Sequence, residues 1–143
     1  MGGYRAGRLG FTYPELFRGV SMLGAGPVQR DFTYAPRGER LREQLLAEVY
    51  GGDLGYFRQV SPWQLAEDNA AEIRRSQLVR IAIGGDDTTL PANELLHRHL
   101  EELAIPHEYL VIPGIEHQPG RLLPAMGEAR WRWYRDAWAG ARP

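Results

Sequence analysis

Three short apolar segments, separated by stretches with helical spacing, constrain the fold of this 143-residue chain more than any other feature. They are residues 18–24, Leu78–Gly84 and His107–Ile112, and a glycine closes or soon follows each of them. Short apolar runs bounded by turn residues are typical of buried strands. Strands that alternate with helices pair in parallel through right-handed crossovers. The pattern therefore predicts an α/β fold, with a small, mainly parallel sheet of about three strands flanked by helices.

The predicted helices lie before, between and after these strands. Apolar side chains repeat at helical spacing in Glu39–Tyr50, and Gly51 ends that run. Ser61 and Pro62 predict another helix start, because serine caps helices and proline suits the first helical position. No repeat or internal boundary interrupts the chain, which indicates a single domain over residues 1–143. The predicted helices span residues 2–13, 39–50, 61–75, 91–103 and 120–139, with a loop over residues 25–38.

Composition and charge exclude several classes of function. The net charge is −1 and no basic stripe is present, so neither nucleic acid nor an anionic membrane is expected as a partner. The absence of cysteine removes disulfides and thiolate metal sites, and it fits a cytoplasmic protein. No apolar run approaches the roughly 20 residues that span a bilayer. Arg5 and Arg8 stand where an export signal needs an apolar core, so no such signal is predicted.

No metal or other cofactor is expected. His97 and His99 are close in sequence, but residues i and i+2 of a helix point about 200° apart. They are interpreted as surface histidines, and His107 as a packing or solvent-facing residue at the start of a strand.

An acid and a histidine follow two successive strands. Asp87 comes after the second strand and His117 after the third, with one predicted helix between them. Functional groups of parallel sheets gather at the carboxyl ends of the strands, so these side chains are expected to meet. A carboxylate that accepts a hydrogen bond from one imidazole nitrogen leaves the other nitrogen free to take a proton. Acid before histidine is also the chain order of α/β-hydrolases.

Three motifs make the sequence resemble the esterase D-like family of α/β-hydrolases, which includes feruloyl and enterochelin esterases and mycolyltransferases. The opening MGGYRAGRLGFTYPELFRGV is similar to the segment that follows the serine in that family's G-x-S-M-G-G motif. GGDDTTLPAN at residues 84–93 resembles its acid loop, with Asp87 at the acid position and Asp86 at a variable one. PGIEH at residues 113–117 resembles its histidine loop. The likeness extends over essentially the whole chain.

The resemblance implies a truncated α/β-hydrolase, the C-terminal half that begins one residue after the nucleophilic serine. It implies hydrolysis of small-molecule carboxylic esters, with Asp87 orienting His117 as the general base. Met1 and Gly2 are then the remnant of the oxyanion hole, although the nitrogen of Met1 is an amine as the chain stands.

The nucleophile is left open by the sequence. Ser21 lies inside a predicted strand, and Ser76 lies at the amino side of the sheet, so neither is expected to reach His117. Ser61 is the least implausible substitute nucleophile within the chain. The other interpretation of Ser61 is that it caps a helix. A water, a serine of another chain or a serine before Met1 are further alternatives. The competing hypothesis is a catalytically inactive fragment that only oligomerises or complements a separate N-terminal half.

A homo-oligomer is the expected assembly. Residues 18–24 form an edge strand whose only charge is Arg18, so the strand lacks the usual protection of an edge. Antiparallel pairing of residues 20–23 with a two-fold mate is one way to cover it. The stripe of Trp131, Tyr134 and Trp138 is predicted to lie in the core or in an interface.

Overall fold

The computed structural model describes residues 2–32 and 38–140, and it confirms the predicted α/β fold. Within these residues a three-stranded parallel sheet is flanked by eight helices. The elements are α1 Gly2–Thr12, β1 Gly19–Leu23, α2 Glu39–Tyr50, α3 Leu54–Gln59, α4 Pro62–Asp68, α5 Ala70–Ser76, β2 Leu78–Gly84, α6 Leu90–Glu102, β3 His107–Ile112, α7 Pro119–Ala125 and α8 Glu128–Ala139.

The strands stand in the order β1-β2-β3, and both pairings are parallel. In the registers Val20 is opposite Val79, and Ile81 is opposite Tyr109. The central strand β2 is buried along nearly its whole length, as expected for a parallel strand covered on both faces. All carboxyl ends therefore lie at one edge of the sheet, where the loops after β1, β2 and β3 emerge.

The larger core lies on one face of the sheet, under α1 and α6. Glycines at positions 3, 7 and 10 share one side of α1, and a Cβ at any of them would collide with β1 or its side chains. Helix α1 therefore packs unusually close to the sheet, with Phe11 fully buried. A smaller apolar cluster covers the other face and contains Ala82, Ile115, Leu122 and Met126.

Two predicted helices are broken, and one helix was missed. The predicted helix over residues 61–75 divides at Asn69, whose side chain donates a hydrogen bond to the carbonyl of Phe11 on α1. The last helix divides at Gly127, which adopts a φ of +54° that glycine tolerates best. The missed helix is α3, and Asp53 caps it by accepting from the amides of Gly55 and Tyr56.

The two tryptophans of the aromatic stripe on α8 are exposed, while Tyr134 is partly buried. Trp138 is 84% exposed and Trp131 is 50% exposed, so the prediction of a core position is wrong for these two residues. Trp133 is the buried tryptophan, and its ring lies 4.6 Å from the guanidinium carbon of Arg80. Among the residues described, no helix has both the length and the apolar character needed to cross a membrane.

Candidate active site

Asp87 and His117 meet at the carboxyl edge of the sheet. Asp87 lies in the loop after β2 and His117 in the loop after β3. The Nδ1 atom of His117 is 2.9 Å from Oδ2 of Asp87, which is hydrogen-bond distance. The sequence placed both residues at this edge, and the structure brings their side chains into contact.

The carboxylate of Asp87 is held by three hydrogen bonds. Its Oδ1 accepts from the backbone amide and from the hydroxyl of Thr89, both at 2.8 Å, and its Oδ2 accepts from His117. Only 2% of the side chain is exposed. Asp86 next to it is exposed, so Asp87 is the member of the pair that faces the histidine.

The two loops approach each other closely because Gly84 lacks a side chain. A Cβ at position 84 would overlap the backbone carbonyl of Ile115. The amide of Gly85 donates to the carbonyl of Ile112, and the amide of Asp86 donates to that of Ile115. These main-chain contacts fix the histidine loop against the acid loop.

The loop after β1 forms the third side of the site. Gly24 has a φ of +54°, and a Cβ built there would lie 3.7 Å from both Asp87 Oδ2 and His117 Cε1. Buried Asn93 donates to the carbonyls of Ala25 and Thr89, which ties the first loop to the second. Sequence reasoning missed Thr89, Asn93 and Gly24. For Thr89, its position two residues after an aspartate was an available signal of an Asx turn.

The hydrogen bond to Asp87 determines which nitrogen of His117 can act as a base. An ionised carboxylate only accepts hydrogen bonds, so Nδ1 of His117 carries the proton that it shares with Asp87. The lone pair of the neutral imidazole then lies on Nε2. Since 46% of the His117 side chain is exposed, a reacting group can approach this nitrogen. The pair can accept a proton and stabilise the resulting imidazolium.

The amino end of α1 lies at the same edge. Gly3 packs against the backbone of Leu23 and against Ala25, on either side of Gly24. The first amides of a helix have no intrahelical partner and favour negative charge. Gly2 is exposed there and can contribute such an amide. Met1, the other residue predicted for the oxyanion hole, lies outside the described residues.

The serine hydroxyls of the chain are engaged away from His117. Ser61 is 1% exposed, donates to the carbonyl of Arg58 at 2.8 Å and accepts from the amide of Gln64. Its geometry is that of the N-cap of α4, so the interpretation as substitute nucleophile is corrected to helix capping. Ser21 accepts from Arg80, and Ser76 donates to the carbonyls of Pro14 and Glu72.

The histidines of α6 do not form a metal site with each other. His99 is 5% exposed and stacks on Trp63, so its interpretation as a surface histidine is wrong. His97 hydrogen-bonds His107, with 2.7 Å between Nδ1 and Nε2. Sequence reasoning missed this second contact, because it joins a helix to a strand. Across residues 2–32 and 38–140, no group of three or more His, Cys, Asp or Glu side chains could hold a metal ion.

No protein-family model and no curated protein matches the sequence significantly. The fold is similar to that of several solved structures. An S-formylglutathione hydrolase from Staphylococcus aureus matches with a TM-score of 0.67 and 18% identity, over 93% of this chain and 51% of that one. A ferulic acid esterase matches with a TM-score of 0.66 and 18% identity, over 94% and 48% of the two chains.

A fluorophosphonate-binding serine hydrolase from Staphylococcus aureus is also similar, with a TM-score of 0.60 and 16% identity. It is matched over 92% of this chain and 50% of its own. The chain thus spans about half the length of these three hydrolases. At these identities the likeness shows the fold, which is part of an α/β-hydrolase fold.

Proposed function

We propose that the chain takes part in hydrolysis of carboxylic esters, with His117 as general base and Asp87 as the group that orients it. The observation that carries the proposal is the 2.9 Å hydrogen bond between them, together with the exposure of the imidazole. The likeness to esterase folds supports the same chemistry without specifying a substrate.

In the proposed reaction, Nε2 of His117 removes the proton of a nucleophilic hydroxyl or water as its oxygen attacks the ester carbonyl carbon. A tetrahedral oxyanion forms, and the bond to the alcohol oxygen then breaks. The His117 imidazolium returns its proton to that oxygen, so the alcohol leaves neutral. With water as the nucleophile this step releases the carboxylic acid. With a hydroxyl as the nucleophile the acyl group stays on it as an ester, and a water that His117 deprotonates in the same way then displaces the acyl group as the acid. Asp87 stabilises the imidazolium through the hydrogen bond that its carboxylate accepts from Nδ1 of His117.

The amino end of α1 is the proposed stabiliser of the oxyanion. Its first amides, including that of Gly2, lie at the edge where Gly24 is next to the acid–histidine pair. Removal of one hydrogen-bond donor to an oxyanion costs about 10²–10³ in turnover where it has been measured.

The nucleophile is the open element of the proposal. The hydroxyls of Ser21, Ser61 and Ser76 make other hydrogen bonds, so the proposal relies on a water or on a hydroxyl other than these three. Loss of a triad serine costs about 10⁶ in turnover where the rest of the site is intact. Turnover through water is therefore expected to be slow and confined to activated esters.

The decisive experiment measures hydrolysis of p-nitrophenyl butyrate by tag-free protein, with and without a serine-reactive phosphonate. Intact-mass spectrometry determines whether the phosphonate attaches to the chain. Turnover that the phosphonate blocks, with one adduct per chain, supports a hydroxyl nucleophile. Slow turnover that depends on His117, in protein that the phosphonate does not label, supports a water molecule as the nucleophile. Absence of turnover contradicts the proposal for the isolated chain.

A second candidate function is that of a noncatalytic half-domain that binds another polypeptide. Two observations favour it: the chain spans about half of the hydrolases it resembles, and β1 has a neighbour on only one side among the described strands. A folded protein that neither hydrolyses the ester nor reacts with the phosphonate supports this candidate over the first.

A further inference from the structure

Thr89 supplies two of the three hydrogen bonds that hold the carboxylate of Asp87. Its backbone amide and its hydroxyl each lie 2.8 Å from Oδ1, while Oδ2 accepts from His117. Only 2% of the Asp87 side chain is exposed, so solvent can replace a lost donor only poorly. A carboxylate buried to this extent requires hydrogen bonds that compensate for its lost hydration. The orientation of Asp87 therefore depends largely on Thr89.

The two donors of Thr89 meet on a single oxygen of the carboxylate. The two oxygens of a carboxylate are chemically equivalent, and rotation about the Cβ–Cγ bond exchanges them. One donor fixes the position of an oxygen, and a second donor on the same oxygen restricts this rotation as well. With Oδ1 occupied in this way, Oδ2 is the oxygen that faces Nδ1 of His117. The hydroxyl of Thr89 thus contributes an orientation that its amide alone would not fix.

The methyl group of Thr89 determines where its hydroxyl points. A Cβ built on Gly26 would lie 3.0 Å from Cγ2 of Thr89 and 3.9 Å from its Oγ1, so the methyl group occupies the space beside the backbone of Gly26. Thr89 is 6% exposed, and a β-branched side chain in such a packed position has little rotational freedom. With its methyl group beside Gly26, the side chain directs its hydroxyl to Asp87.

Asn93 holds the backbone of Thr89. Its side-chain amide donates to the carbonyl of Thr89 at 2.9 Å and also to the carbonyl of Ala25 in the loop after β1. Asn93 is fully buried, so these bonds are shielded from solvent. Thr89 is therefore held through its carbonyl and its methyl group, which leaves its amide and its hydroxyl to bind the carboxylate.

We propose that Thr89 is a positioning residue of the acid–histidine pair, whose hydroxyl keeps Asp87 in the orientation that maintains the proton of His117 on Nδ1. The proposal rests on the function proposed above for this pair. Thr89 acts through Asp87, and no hydrogen bond joins it to His117 itself. Without the hydroxyl, the carboxylate is free to turn, and the 46% exposed imidazole loses its fixed partner. An imidazole that carries its proton on Nε2 cannot act as a base through that nitrogen.

Two-bond ¹H–¹⁵N correlation spectra of ¹⁵N-labelled protein report the tautomer of each histidine without requiring turnover. At about pH 8, where an ordinary imidazole is neutral, wild-type His117 is expected to carry its proton on Nδ1. The loss of its signals in His117→Ala identifies them. Thr89→Val removes the hydroxyl but keeps the shape of the side chain, and it is expected to produce a mixture of both tautomers at His117. Unchanged signals of the other three histidines verify that the variant folds.

Thr88→Val is the matched control, because Thr88 is exposed next to Thr89 in the same loop. It is expected to leave the tautomer of His117 unchanged. Thr89→Ser retains the hydroxyl without the methyl group, so its result is expected to lie between wild type and Thr89→Val. Thr89→Ala also removes the hydroxyl and takes the place of Thr89→Val if that variant does not fold.

Steady-state kinetics with p-nitrophenyl butyrate give a second measurement. Thr89→Val is expected to lower kcat by roughly 10-fold, the effect of one lost hydrogen bond to a charged group. KM is expected to stay unchanged, because Thr89 is buried behind Asp87 and offers no surface to a substrate. A wild-type chain without turnover would contradict the proposed ester hydrolysis, and the tautomer of His117 would still decide the role of Thr89.

Three results would overturn the proposal. The first is a folded Thr89→Val or Thr89→Ala variant in which His117 keeps its proton on Nδ1. The second is a Thr89→Ser variant that loses this tautomer as completely as Thr89→Val does, because the hydroxyl would then have no role of its own. The third is an equal loss in Thr88→Val.

Discussion

Nδ1 of His117 lies 2.9 Å from Oδ2 of Asp87, although the two residues are far apart in the chain and belong to different strand ends. The contact depends on main-chain bonds between the two loops and on the side chain of Thr89. The acid–histidine geometry is therefore built into the fold of these loops, and it can be tested by substitutions that leave the sheet unchanged.

If the chain hydrolyses esters, His117→Ala is expected to abolish turnover of p-nitrophenyl butyrate while the fold is retained. The substitution removes the base, and the half-exposed side chain contributes little to the core. Turnover and circular dichroism are measured on the same sample. Full activity with an unchanged spectrum would exclude His117 from the mechanism.

Asp87→Asn is expected to reduce kcat by about 10³–10⁴-fold, because an amide neither fixes the reactive tautomer nor stabilises the imidazolium. Asp86→Asn is the matched control and is expected to have little effect, since Asp86 is exposed. Steady-state kinetics of both variants on the same ester compare them. Greater sensitivity at position 86 would show that the neighbouring carboxylate is the working one.

Ser61→Ala separates capping from catalysis. Loss of the N-cap bond to Gln64 is expected to lower the free energy of unfolding by about 1 kcal/mol, with no specific loss of turnover per folded molecule. Urea unfolding and ester turnover are the two measurements. Abolished turnover at unchanged stability would restore Ser61 as a nucleophile.

Gly84→Ala is expected to destabilise the protein by about 1–3 kcal/mol or more, because its Cβ would overlap the carbonyl of Ile115. The histidine loop has to move away from the acid loop, so any turnover should fall as well. Gly120→Ala in α7 is the control, since a Cβ there meets nothing within 4 Å. Equal stabilities of the two variants in urea unfolding would contradict the close approach.

The contact between His97 and His107 predicts a stability that falls in acid. Nδ1 of His107 donates to the carbonyl of Ile105, so its Nε2 accepts from His97. Burial lowers the pKa of His107 below 6.5, and His97 lowers it further, while the bond to Ile105 and the charge of Glu101 oppose this. Burial lowers the pKa of His99 too, against the opposing charges of Glu67 and Glu102.

The unfolded chain consequently binds more protons than the folded chain just below pH 6.5. The free energy of unfolding is expected to fall as the pH drops from 6.5 toward the lowered pKa values and to level off below them. Each unit of lowering contributes about 1.4 kcal/mol. Urea unfolding across this range measures the slope, and His107→Gln should reduce it. An unchanged slope in the His107→Gln variant would show that groups other than His107 take up the protons.

The sequence by itself determined the elements whose signals are local. Apolar runs bounded by glycine and proline specified β1, β2 and β3, and the positions of Asp87 and His117 after two of them placed both at one edge. The spacing of apolar residues and the residues that favour turns act over a few positions of the chain. They therefore predict a strand or a helix without knowledge of what packs against it. The parallel order of the sheet followed from the alternation of strands and helices.

Only the tertiary structure decided which side chains meet across elements. The break at Asn69 depends on its bond to Phe11 of a distant helix, and the pairing of His97 with His107 depends on how α6 lies along β3. The same holds for Trp133, which is buried over Arg80 while its neighbour Trp131 is exposed. Such contacts depend on how the helices and strands lie relative to one another, and no local sequence pattern encodes those positions. Several faces of an element are equally apolar in sequence, and packing in the folded protein determines which of them is buried.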